Sequence, residues 1–217
     1  MATAKKVKIN QKYIITKYMH YVLEQEKYPK SVYKFCKEIG ITEEVFYSYY
    51  GSIESMKKGV WTTFYNETIK VIHKSKEYES FSSRDKMLTF FYSFFEILTL
   101  NRSYVLMSLK EHKDSLKNME QLKDLRKKIK SFTAELIEND NENKSFKFTK
   151  NPTAIYSEGA WLQFLFLLKF WMEDDSAGFE KTDIAIEKSV RTIFDVFDNT
   201  PLSSVIDFGK FLWKEKV

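Results

Sequence analysis

Three histidines, one cysteine and a pair of adjacent aspartates are the residues with the chemistry of a catalyst or a metal site. His20, His73 and His112 lie far apart and have no acidic or thiol neighbour at ligand spacing, so no metal site is expected. Cys36 falls at an apolar helix position and reads as a buried thiol, not a nucleophile. Asp174 and Asp175 are neighbours in a turn and do not form an acid–base pair. The chain has no glycine-rich phosphate loop and no nucleophile motif. The expectation is a protein that is not an enzyme and carries no cofactor.

A different chemistry is legible in Gly40-Ile41-Thr42-Glu43-Glu44-Val45-Phe46-Tyr47-Ser48-Tyr49-Tyr50-Gly51-Ser52. It reads as a glycine turn, a threonine cap and one short helix crowded with aromatics. A helix of about two turns is too short to stand alone, so its neighbours must hold it while its outer face meets something else. With the helix before it, this is the layout of a helix-turn-helix, whose second helix enters the major groove of double-stranded DNA. Charge agrees. Residues 1–60 hold 11 Lys against 6 acidic residues, and this excess equals the +5 of the entire chain. A polyanion met by the N-terminal end would account for that asymmetry.

The surrounding elements all read as helical. Six Gly and three Pro leave few breakers, and no segment predicts a sheet. A basic arm over residues 1–9, with Lys5 and Lys6, precedes a first helix from about Asn10 to Gln25. Ser31 caps a second helix, Gly40 stops it, and Thr42 caps a third running to about Tyr49. Ser52 caps a long fourth helix to about Tyr78. Ser83 caps a fifth, rich in phenylalanine; a sixth covers Arg102 to Lys113, and a seventh runs unbroken from Ser115 to about Glu138. Residues 139–151 read as a loop. Further helices cover Pro152 to Glu173, Thr182 to Phe197 and Ser203 to Lys214. The fold class is all-α: a head over residues 1–55, joined by the long helix to a bundle over 56–217, about ten helices in all.

The most apolar segment, Ala160 to Met172, has 13 residues including Gln163 and Lys169, too short and too polar to cross a bilayer. The first residues predict no signal peptide, and a single cysteine fits a reducing, cytoplasmic setting.

In the register Gly40, Ile41, Thr42, Phe46, Tyr47, Tyr49, Tyr50, Ser52, Glu54 and Met56, the chain resembles the TetR (tetracycline-repressor-like) family of bacterial transcription regulators. The resemblance implies a homodimeric repressor that binds a palindromic operator and leaves it when a small apolar or aromatic ligand binds. Carried over by position, Thr42, Tyr47 and Tyr49 match residues that touch DNA. Val45 and Ser48 match positions that vary with operator sequence, and Ser31 matches a donor to phosphate. The helices corresponding to the family's four-helix dimer contact carry Trp161, Leu162, Leu165, Ile186, Val190, Ile193 and Phe194. Two departures stand out: Glu43 and Glu44 are acidic where a base is common, and Ile53 stands where a lysine is usual.

The phenylalanine-rich helix and the apolar segment near residue 165 carry more apolar side chains than one stripe per helix requires. Phe91, Phe94, Phe95, Tyr104, Met107, Trp161, Phe164, Leu165 and Leu168 are the expected lining of a ligand cavity. An alternative resemblance starts from Trp171 to Thr182, with its Asp-Asp-Ser turn. This stretch is similar to the lipid-binding accessory family of ubiquinone biosynthesis, which shares the fold and implies an isoprenoid or quinone ligand with no operator DNA.

Overall fold

The computed structural model describes residues 9–142 and 153–199. Ten α-helices and no strand occur among the described residues. They divide into two compact units, Met1–Lys74 with Ser93–Lys128 and Ser75–Tyr92 with Ile129–Val217.

The first unit begins with α1 (Gln11–Gln25), whose N-cap Asn10 accepts from the Tyr13 amide. Ile14, Ile15, Tyr18 and Val22 recur at helical spacing and are buried. Then follow α2 (Val32–Ile39), α3 (Glu43–Tyr47) and α4 (Ile53–Ile72). The Ser52 and Ser55 side chains cap α4 reciprocally, each hydroxyl accepting from the other residue's amide at 3.0 Å. This helix ends six residues before the expected Tyr78, at the His73 cap, and Tyr78–Ser80 forms a separate 3-10 turn. The unit continues through the end of α5 (Ser83–Leu100), α6 (Arg102–Leu109), α7 (Ser115–Met119) and the start of α8 (Lys123–Glu142). Trp61, Phe46, Phe35, Met56, Phe94 and Leu98 fill its core.

The helix expected to run unbroken from Ser115 is broken at Glu120–Leu122 by a 3-10 turn. Buried amides cause the break. Gln121 donates to the Ser108 carbonyl at 2.8 Å and accepts from the Trp61 indole at 2.8 Å. Asn118 bonds the His112 backbone through both ends of its amide. These bonds hold the interrupted segment, and Leu116 just before it is left 78% exposed.

The second unit contains the first half of α5, the rest of α8, α9 (Thr153–Glu173) and α10 (Glu180–Asn199). Ser82 caps α5, not the expected Ser83: its hydroxyl accepts from the Asp85 amide. Ser83 turns instead to Asp140 at 2.7 Å and ties α5 to α8. Phe90 stacks obliquely on Phe132 at 4.7 Å. Gln163 of α9 donates to Ser189 of α10 at 2.9 Å. The expected last helix, Ser203 to Lys214, lies outside the described residues.

Candidate functional site

The helix-turn-helix is built by its caps. The Ser31 hydroxyl accepts from the Lys34 amide and starts α2. Gly40 takes φ 71°, the left-handed conformation that glycine adopts without strain, and its N–H returns to the Cys36 carbonyl. The Thr42 hydroxyl then accepts from the Val45 amide at 3.3 Å and starts α3. The helix has only five residues, two fewer than expected, because Ser48 donates back to the Val45 carbonyl and closes it.

What holds α3 is aromatic. Phe46 is fully buried, edge-on to Phe35 at 6.2 Å, and Tyr50 is buried behind it. These anchors leave Tyr47 53% exposed and Tyr49 41% exposed, while Thr42, Ser48 and Ser31 are also open to solvent. Val45 is half-buried. Of the expected contact set, Ser31, Thr42, Tyr47, Ser48 and Tyr49 are thus exposed and Val45 half-buried, while Lys5 and Lys6 lie outside the described residues.

The two departures have local explanations. Glu44 is exposed at the N-terminal end of α3 and Glu43 is half-buried beside α2, where acidic groups favour the helix start. Burial, and then the Glu43 charge, push the Cys36 thiol up. Ile53 is 8% exposed and opens α4 as a packing residue.

Not every lysine of the head faces solvent. Lys57 pairs with Glu111 at 2.6 Å and lies 4.4 Å from the centre of the Tyr28 ring. Tyr28 donates to the Met107 carbonyl at 3.2 Å. Burial, followed by the Glu111 charge, raises the Tyr28 phenol above its ordinary value. Nearby, burial and then Tyr104 raise Tyr18. Lys30, Lys34 and Lys37 remain exposed.

The expected ligand lining is mostly core. Phe94, Phe95 and Tyr104 are buried in the first unit, where Met107 is half-buried. Phe91, Trp161, Phe164 and Leu168 are buried in the second, and Leu165 is half-buried. The open space in the first unit lies elsewhere. A cleft of about 600 Å³ runs between α1, α4 and the α5–α6 junction, and of the expected lining it meets only Tyr104. Sequence reasoning missed it, because nothing local marks Leu23 and Leu100 as exposed.

Of the expected dimer residues, Leu162 is 64% exposed, Ile193 and Phe194 are half-buried, and Trp161, Ile186 and Val190 are buried within the protomer. Phe166 of α9 and Ile184 of α10 are also exposed, and sequence reasoning left them out. The step from Leu162 to Phe166 is one helical turn and was the available clue.

In the α9–α10 turn, Asp174 is 6% exposed. One carboxylate oxygen accepts from the Ser176 amide and hydroxyl, the other from the Thr182 amide and hydroxyl, at 2.6 to 2.9 Å. Burial pushes the acid up, but these four bonds outweigh it and hold the carboxyl well below the usual range. The Asp-Asp-Ser turn is thus accounted for by capping. Among the described residues there is no cluster of metal-ligating side chains, and no helix is long and apolar enough to cross a membrane.

The profile of the tetracyclin repressor-like C-terminal domain matches residues 86–212, more than half of the chain. A crystal structure from Syntrophomonas wolfei str. Goettingen, of a protein assigned to the TetR-family transcriptional regulators, superposes with a TM-score of 0.64 at 16% identity. That alignment covers 84% of this chain and 93% of the other. Comparison with curated proteins gives no significant match.

Proposed function

The chain belongs to the tetracyclin repressor-like family of transcriptional regulators, and from that premise we propose that it binds a palindromic DNA operator as a homodimer and leaves it when a small apolar ligand binds. The observation that carries this reading is the exposed surface of α3. A five-residue helix is pinned from behind by Phe46 and Tyr50, yet Tyr47, edge-on to Phe46, and Tyr49 remain largely exposed, with Thr42 and Ser48 also exposed. Hydroxyls and phenols at the rim of a short helix supply hydrogen bonds to phosphate and base edges in a major groove.

Two copies related by a two-fold axis would set two such helices about 34 Å apart, one turn of DNA. The exposed apolar side chains of α9 and α10, Leu162, Phe166 and Ile184, are the ones we assign to that dimer contact. Release follows from a population shift. A ligand that prefers one arrangement of the helices pulls the dimer toward it, and the head spacing that fits the operator is lost. Within the first unit, the Tyr28–Met107 bond ties the α1–α2 turn to α6 and the Lys57–Glu111 pair ties α4 to the segment just after α6, so a displaced α6 carries the head with it. The protein acts as a repressor in the cytoplasm on this reading, as a binding protein and not an enzyme.

Selection from random double-stranded DNA with the full chain tests the proposal. An enriched inverted repeat is expected, and fragments carrying only one half-site should bind far more weakly. Recovery of no symmetric motif would overturn it.

A further inference from the structure

We propose that the cleft between α1, α4 and the α5–α6 junction is a binding site for an uncharged aliphatic chain, of the class of the medium-length alkyl alcohols. The cleft lies wholly within the first unit. Its volume, about 600 Å³, falls in the range of small-molecule sites, ~300–1,000 Å³.

The walls call for something apolar. Leu23 of α1, Val71 of α4 and Leu100 at the end of α5 are 38%, 46% and 78% exposed, and all three line this one cleft. Single exposed aliphatic side chains are ordinary, but three from separate helices that converge on a concave surface mark a place where an apolar ligand lies. Phe64 and Tyr104 also line it, but both are buried and offer a flat ring no open face to stack on, so the matching occupant is an aliphatic chain.

The charges of the lining make that occupant neutral. Glu67 is the one acidic residue of the lining, and it is held by Lys70 at 3.1 Å and Lys12 at 3.6 Å. The Lys70 bond keeps the Glu67 carboxyl below its ordinary value, so it is ionised and already partnered, and a cationic head finds no open carboxylate. Lys12 is engaged by Glu67 with most of its side chain in water, and Arg102 has a partner of its own, so an anionic head finds no waiting cation. A charged head entering here gives up hydration without gaining a counter-charge. An alcohol gives up far less, and the hydroxyls of Thr16 and Ser103 in the lining can donate to it or accept from it.

Such a chain is the ligand whose arrival releases DNA in the reading above, and that consequence rests on that reading; binding itself is tested without DNA, so the two fail separately. Titrate the full chain by calorimetry with octanol, decanol, decanoate and decyltrimethylammonium. Decanol should bind saturably, one per protomer, and roughly tenfold more tightly than octanol for its two further methylenes. It should also bind at least roughly tenfold more tightly than either charged probe of the same chain length. Leu100→Gln and Val71→Gln change exposed positions, so both variants should melt like the parent while binding decanol severalfold more weakly. Thr16→Trp, also at an exposed position, should fill the cleft and abolish binding. Phe164→Leu, in the core of the second unit, should leave decanol affinity as it is. No saturable heat with decanol, a charged probe that binds as tightly, or an affinity indifferent to the three cleft variants would each overturn the assignment.

Discussion

The Lys57 ammonium lies 2.6 Å from the Glu111 carboxylate, with the two side chains only 13% and 14% exposed. A pair this sheltered differs from a surface ion pair. Removing one partner strands a charge that water reaches poorly, at a cost of about 3 kcal/mol, while removing both costs less. Glu111→Ala should therefore destabilise the protein more than the double variant Lys57→Ala/Glu111→Ala does. Urea unfolding of the four proteins of the cycle should give a coupling of about 1–2 kcal/mol. Additive losses would mean that the two groups do not sense each other.

Gly59 sits in the middle of α4, where glycine normally costs about 1 kcal/mol relative to alanine. Here the Tyr50 ring occupies the space: a Cβ at position 59 would come within 2.6 Å of Tyr50 Cε1. Since Tyr50 is 5% exposed and braces Phe46, the ring cannot swing away cheaply. Gly59→Ala should destabilise by about 1–3 kcal/mol. In a Tyr50→Ala background the same change should become stabilising. Denaturation midpoints decide it, and a stabilised Gly59→Ala in the parent would refute the steric account.

How much of this was legible beforehand differs by element. The Ser31, Gly40, Thr42 and Ser52 caps were readable because each is a local rule acting within four residues. The stripe Ile14, Tyr18, Val22 was readable because helical periodicity fixes the buried face. The break at Glu120–Leu122 was not, since it depends on Trp61 reaching Gln121 from 60 positions away in sequence. The burial of Lys57 was not readable for the same reason: nothing local announces Glu111. The cleft was illegible because aromatic surplus reports how much apolar surface exists, not where packing leaves a gap. Phe91, Phe94 and Phe164 fill their space; Leu23, Val71 and Leu100 do not.

Asp174 links acid stability to the α9–α10 turn. An unfolded aspartate titrates near about 4, and the folded carboxyl titrates lower because Ser176 and Thr182 donate to its ionised form. The folded state therefore gains from the carboxylate at neutral pH, and the gain fades as pH falls from about 4 toward the folded value. Asp174→Asn turns one of the two acceptor oxygens into a donor that faces two donors. It should cost about 2–3 kcal/mol at neutral pH, and the gap to the parent should narrow in acid. Melting temperatures measured across the acid range read this directly; a pH-independent gap would contradict it.

The head separates packing from recognition at neighbouring positions of one short helix. Phe46→Ala empties a fully buried site and should cost about 3–5 kcal/mol of stability. Tyr47→Ala removes a ring that is more than half exposed, so stability should change by less than about 0.5 kcal/mol. Its cost should fall on operator affinity, about 1–3 kcal/mol, if the phenol reaches a base edge. The lysines divide in the same way. Lys34→Ala and Lys37→Ala remove exposed charges and should each lower the slope of log affinity against log salt by about one. Lys57→Ala should leave that slope alone, because Glu111 already holds the charge. Affinities on the selected operator at several salt concentrations distinguish the two classes. A reduced slope for Lys57→Ala, or an unchanged one for both Lys34→Ala and Lys37→Ala, would put the DNA on a different face of the head.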